Sequence, residues 1–200
     1  KKLLPDPPIA SIGYQASIVI TPQQEADIDI KATLNNLLIP YTSNYAGTLL
    51  PGIREYTVTP GEKTTTISGK GKAGLKQEEN YYFFYLPVCY KGITGKSYAY
   101  YNTSRSKNLY LPASVDENYS YDIQLPENLT LCTPIQEKKI DNPIGSFKIT
   151  LTSEGSSLHI ELALQIKKQL ITPAEYPAFR SLITEWTDRT RKPILFKTVQ

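Results

Sequence analysis

The sequence contains no methionine, one histidine and two cysteines in 200 residues, and each scarcity closes off some chemistry. Metal centres and imidazole-assisted nucleophiles draw on several ligands or on a positioned base. A lone His159, with no second histidine, is a poor start for either. Cys89 and Cys132 are too few for a disulfide scaffold or a cysteine-based zinc site. Both lie in apolar, strand-like surroundings ("YLPVCY" and "LTLC"), which leaves two readings open. They are buried free thiols, since unpaired cysteine is among the most buried residue types, or they form a Cys89–Cys132 disulfide, which implies an oxidising compartment.

Long apolar runs are missing too. The longest are about six residues, far short of the ~20 that cross a bilayer as a helix. Charge of one sign is missing as well: 22 Lys and Arg against 19 Asp and Glu give +3, scattered along the chain. That balance argues against nucleic acid or a membrane as partner. The opening "KKLLPDPPIASIG" shows neither Met nor the apolar stretch of a secretory signal. It reads as part of a longer protein, with the stiff "PDPP" in a linker, residues 1–13, from a preceding domain.

What is present is a globular balance, 40% hydrophobic and 20% charged, enough for one large β domain or two small ones. In "EADIDIKATL", Ile28, Ile30, Ala32 and Leu34 alternate with Asp27, Asp29, Lys31 and Thr33. In "SLHIELALQIKK", Leu158, Ile160, Leu162, Leu164 and Ile166 share one face, with His159, Glu161, Gln165 and Lys167 on the other. Strict period two predicts long strands with one face buried. Shorter strand candidates fall at 16–21, 54–59, 63–68, 81–86, 97–101, 108–112, 119–125, 146–151 and 194–197, separated by turn signals such as "TPGEK", "DNPIG" and "SEGSS". Many short strands without interleaved helices predict a mainly β chain, an antiparallel β-sandwich over 14–200, with a possible sub-division near 105–112.

One helix stands apart, predicted over 173–187. Tyr176, Phe179, Leu182, Ile183 and Trp186 fall on one face at helical spacing, with Arg180, Thr184 and Glu185 opposite. Thr172 and Glu175 have capping-box spacing, and Pro173 suits a first helical position. Pro177 conflicts with that start, so either the first turn is separate or the main helix begins at Pro177. The apolar face predicts Phe179 and Trp186 packed against the sheet, and "PILFK" after the helix predicts a strand at a sheet edge.

The motifs that suggest chemistry are weak. "GKGKAG", Gly69 to Gly74, matches a dinucleotide fingerprint, but only "LKQEEN" follows before the next strand where a helix is required; it reads as a flexible hairpin loop. "GKS" at Gly95–Ser97 lacks the leading glycine of a phosphate loop, Tyr90 standing there, and reads as a turn. His159 lies on the polar face of its strand and reads as exposed, with no near-sequence carboxylate or Cys motif. No catalytic, cofactor-binding or metal residue emerges, and no cofactor is implied. Fifteen tyrosines leave one binding alternative: Tyr82, Tyr90, Tyr98 and Tyr100 as an exposed aromatic surface for a carbohydrate or peptide.

The order of several segments points to a family. A Tyr-rich strand ends in "LP" (Tyr119–Pro126), and an "N-x-x-G-x-F" turn follows (Asn142–Phe147). A long strand (Leu158–Leu170), a "P-x-E-Y-x-x-F" helix (Pro173–Phe179) and a short apolar strand (Ile194–Lys197) complete it. This arrangement resembles the C-terminal β domain of bacterial transglutaminase-like multidomain proteins. Those carry an uncharacterised N-terminal β domain and a transglutaminase-like Cys-His-Asp core of the papain-like superfamily. The resemblance implies a non-catalytic accessory module that supports or positions the preceding core domain of the same chain, or binds a partner. It also implies a periplasmic or cell-surface location and places every catalytic residue outside this sequence.

Overall fold

The computed structural model describes residues 8–35, 52–89, 92–93 and 104–199. Tyr90, Tyr98, Tyr100, the "GKS" stretch and the strand expected over 97–101 lie outside these residues.

Alternating apolar residues build the first long strands, β1 (Ile9–Ile20) and β2 (Glu25–Asn35). They pair antiparallel across a tight turn, Ile18 opposite Ile28 and Ala16 opposite Ile30. β1 begins at Ile9, so the last residues of the stretch assigned to a linker are strand, not linker. β3 (Ile53–Pro60) and β4 (Thr64–Gly74) extend the layer beyond β2. After the short strands β5 (Lys76–Glu78), β6 (Tyr81–Phe84) and β7 (Leu109–Tyr110) comes β8 (Ser114–Gln124). Then follow β9 (Leu129–Leu131), β10 (Gln136–Asn142), β11 (Gly145–Glu154), β12 (Ser157–Ile166) and β13 (Leu170–Ile171). The helix α1 (Tyr176–Arg191) and β14 (Ile194–Thr198) close the chain.

One sheet has eight strands in the order β10-β11-β12-β8-β1-β2-β4-β3. A second has four, β5-β6-β14-β9, and β13 pairs with β7. The predicted sandwich is borne out, with one departure from antiparallel pairing. β8 lies parallel to β1, Tyr14 beside Tyr119 and Ile18 beside Ile123. A parallel neighbour requires a long crossover, and here all of residues 21–113 intervene. The same pair crosses the sub-division suggested near 105–112: a strand that precedes it and one that follows it lie side by side. The inward faces of the eight-stranded sheet, the four-stranded sheet and α1 share one apolar core.

The helix packs on β11 and β12, with Phe179 and Trp186 both 0% exposed. It starts at Tyr176 rather than at 173, with Pro177 in the first turn, where a missing N–H costs nothing. The Thr172–Glu175 box does form, one turn early. The Thr172 backbone N–H and hydroxyl donate to the Glu175 carboxylate at 3.1 and 3.0 Å, and the Glu175 N–H reaches Thr172 Oγ1 at 3.4 Å. β14 lies inside the four-stranded sheet between β6 and β9, not at an edge.

Two glycine motifs acquire a structural reason. "GKGKAG" is no hairpin loop but the second half of β4. Gly69 and Gly71 lie under the bulged start of β3, where an added Cβ would stand 2.6 Å from Ile53 Cγ2 and 2.3 Å from the Gly52 carbonyl. The interleaved Lys70 and Lys72 face Asp29 and Asp27 at 3.6 and 3.1 Å. In the "N-x-x-G-x-F" turn, Asn142 Oδ1 accepts from the N–H groups of Ile144 and Gly145, while its Nδ2 donates to Ala178 O on α1 at 3.0 Å. A Cβ on Gly145 would meet Gln165 O at 1.8 Å. Phe147 then packs edge-on against Trp186, ring centroids 6.5 Å apart. The motif thus bolts the β10–β11 hairpin to the helix.

Candidate functional site: the open face of the eight-stranded sheet

The second layer covers one face of the large sheet, and period two sends the polar residues of its central strands to the other. Register arranges these in cross-strand rows. One row runs Thr152, His159, Asp122, Ser17, Asp29 and Lys70; the next runs Thr150, Glu161, Ser120, Gln15, Lys31 and Ser68. In the third row Gly13 lies between Thr33 and Asn118, with Ala163 beyond Asn118 and Lys148 beyond Ala163. Where Gly13 and Ala163 withhold side chains the twisted sheet leaves a trough of about 550 Å³, walled by Gln15, Lys31, Asn118, Ser120, Lys148 and Glu161.

Charge on this face is largely self-compensated. Lys148 Nζ lies 3.3 Å from Glu161 Oε2. His159 is half-exposed, its side chain 42% accessible, and is held by two acids. Nδ1 is 2.7 Å from Asp122 Oδ1 and Nε2 is 3.5 Å from Glu161 Oε1. The expectation of a His without a near carboxylate is therefore corrected: Glu161 is two residues on, and strand pairing brings Asp122 opposite. The hydrogen bond to Asp122 raises the His159 pKa against a smaller opposing effect of burial, with Glu161 adding to the rise. Lys148, and after it His159, lowers the Glu161 carboxyl.

Ser17 is the cross-strand neighbour of Asp122, but both imidazole nitrogens face carboxylates, so neither is left to deprotonate a hydroxyl. Among the described residues, no three or more His, Cys, Asp or Glu are grouped to hold a metal ion. Cys89, buried, and Cys132, half-buried, form no disulfide, which decides the two cysteine readings for thiols.

Of the proposed aromatic surface, the one described member, Tyr82, is 7% exposed and belongs to the core. Tyr14, Tyr119 and Tyr121 are buried as well, clustered with ring centroids 5.3–6.4 Å apart, and burial pushes all three phenols up. Among the described residues, the exposed tyrosines are Tyr56, Tyr81, Tyr85 and Tyr110.

One residue escaped the sequence reading. Glu117 occupies an inward position of β8, between Ile12 and Leu164, and is 2% exposed. Its Oε1 accepts the Ile93 N–H at 2.5 Å, and its Oε2 accepts the Tyr119 hydroxyl at 3.3 Å. Two positions on, Tyr121 donates to Pro87 O at 2.7 Å. Two inward side chains of one strand, Glu117 and Tyr121, thus tie Ile93 and Pro87 to the core, with Tyr119 supporting the Glu117 carboxylate. The signal was available: a carboxylate in phase with Val115, Tyr119, Tyr121 and Ile123 breaks the apolar alternation, and a buried charge must be paired.

Comparison with known families and structures gives two matches. The family matching residues 80–196 is described as a Domain of Unknown Function with solved-structure structure, DUF3858. The crystal structure of a "putative protease" from Parabacteroides distasonis ATCC 8503 is similar at 31% identity with a TM-score of 0.55. The similarity covers 61% of this chain and 24% of that one. No curated protein matches.

Proposed function

The chain belongs to the DUF3858 family, and on that premise we propose that it is a non-catalytic accessory module of a larger protein with a transglutaminase-like core. Its work is to support or position that core, in the periplasm or at the cell surface. The observation that carries the reading is the state of the open face. Its one imidazole has a carboxylate at each nitrogen, leaving no base for a nucleophile. The similarity to a protein of which it covers 24% is consistent with a module that accompanies chemistry located elsewhere. The family resemblance supplies the transglutaminase-like identity of the core and the exported location.

The test is turnover. The purified chain, incubated with a casein digest, an activated ester and an amine acceptor, should show no hydrolysis or acyl transfer above background. Turnover that disappears in Cys89→Ala, Cys132→Ala or His159→Ala would overturn the proposal and place a reactive group within this domain.

A further inference from the structure

The groove between α1 and β10 has the features of a peptide-binding site. β10 is an edge of the eight-stranded sheet and pairs on one side with β11. Its other row of backbone groups has no partner among the described residues. The helix is locked beside it at two points: Asn142 Nδ2 donates to Ala178 O, and Lys138 Nζ lies 2.5 Å from Glu185 Oε1. Between these ties runs a groove of about 500 Å³ with Ile140, Pro177 and Tyr176 in its wall and Arg105, Arg180 and Ser181 among its polar residues.

The charge there is not balanced as it is on the open face. The Arg105 guanidinium sits 5.8 Å from the centre of the Tyr176 ring. Both Arg105 and Arg180 act on the Tyr176 phenol, lowering its pKa against the larger upward push of burial. Arg180 is exposed and makes no ion pair among the described residues. The nearby acids are engaged elsewhere, Glu185 with Lys138 and Glu175 with Lys168. A guanidinium on an apolar wall suits a carboxylate, which it grips through two parallel hydrogen bonds. An open strand edge suits an extended backbone, which gains main-chain hydrogen bonds there. Lys138 is held by Glu185 and Lys139 lies 3.8 Å from Asp141, so the charge of β10 itself is balanced and the preference for an acidic segment comes from Arg180 and Arg105 in the groove.

We propose that this groove binds an acidic, extended peptide segment, its backbone along β10 and a side-chain carboxylate on Arg180 with Arg105 alongside. The inference does not depend on the accessory-module reading: the groove would bind such a segment whatever the parent protein does.

The test uses the full chain and a fluorescein-labelled, C-terminally amidated hexapeptide of alternating valine and glutamate, read by fluorescence polarisation. Saturable binding is expected. It should weaken about tenfold or more when glutamine replaces glutamate in the probe, and by a similar factor in Arg180→Ala. Arg180→Lys should recover part of the loss, and Lys31→Ala on the open face should bind as the parent does. Peptide addition should also slow amide hydrogen exchange in residues 136–142. Three outcomes would overturn the proposal: no saturable binding up to about 1 mM, equal binding of the glutamine probe, or an unchanged Arg180→Ala variant. Competition by inorganic phosphate as effective as that by unlabelled peptide would also overturn it, showing a simple anion patch.

Discussion

Trp186 offers the sharpest test of how the helix is used, because two substitutions at one position should behave differently. The indole is 0% exposed and touches Tyr119 and Phe147 at centroid distances of 5.6 and 6.5 Å. Trp186→Ala removes the whole ring from a site walled by a strand pair and a helix that cannot collapse onto it. The expected cost is ~3–5 kcal/mol, a large share of the ~5–15 kcal/mol that holds a domain together. Trp186→Phe is another matter. The indole Nε1–H is buried with no acceptor among the described residues, and such a donor costs about 1–3 kcal/mol of desolvation. Phenylalanine leaves a small void but removes that donor, so the two effects offset and the variant should stay within about 1 kcal/mol of the parent. Urea unfolding followed by far-ultraviolet circular dichroism reads both, since the single tryptophan that would report by fluorescence is the residue replaced. A Trp186→Phe variant as unstable as Trp186→Ala would mean that the indole N–H has a partner. An Ala variant as stable as the parent would refute the helix as core.

Two further outcomes follow from particular contacts. Gly145→Ala should destabilise by at least the ~1–3 kcal/mol of an overpacked site, because its Cβ would stand 1.8 Å from a backbone oxygen; the check is the urea midpoint, and an unchanged midpoint would refute the turn geometry. His159 is the chain's single histidine, so its proton NMR titration is unambiguous. Its pKa is raised by Asp122, so its small contribution to stability is full below the ordinary ~6.5 and fades as pH rises through the folded pKa. Asp122→Asn should lower that pKa, and a parent value at or below the ordinary one would contradict the pairing.

Much of the fold was legible because its strongest signals are local. Period two in β2 and β12 reports directly which face is buried, and the spacing of Phe179 and Trp186 reports the helical one. What remained hidden depends on residues distant in sequence. Gly69 and Gly71 read as loop until Ile53 is known to fold over them. No pattern within β1 or β8 announces a parallel partner about a hundred residues away. His159 read as solitary because Asp122 reaches it only through strand pairing, although Glu161 lay two residues on. Glu117 was visible as a carboxylate in the apolar phase of β8, and alternation tolerates one exception too easily for it to stand out. The open face and the α1–β10 groove were not legible, since each is assembled from strands and a helix that meet only in the folded chain.

The central claim, that this domain supports a neighbour rather than performing chemistry, is tested most directly in the Parabacteroides distasonis protein. Thermal unfolding of that protein would be compared with and without the quarter of its length that matches this chain. The account predicts that the truncated protein melts at a lower temperature and becomes more sensitive to limited proteolysis, and that adding back the separated domain restores part of the loss. A remainder that melts unchanged and does not associate with the added domain would contradict it.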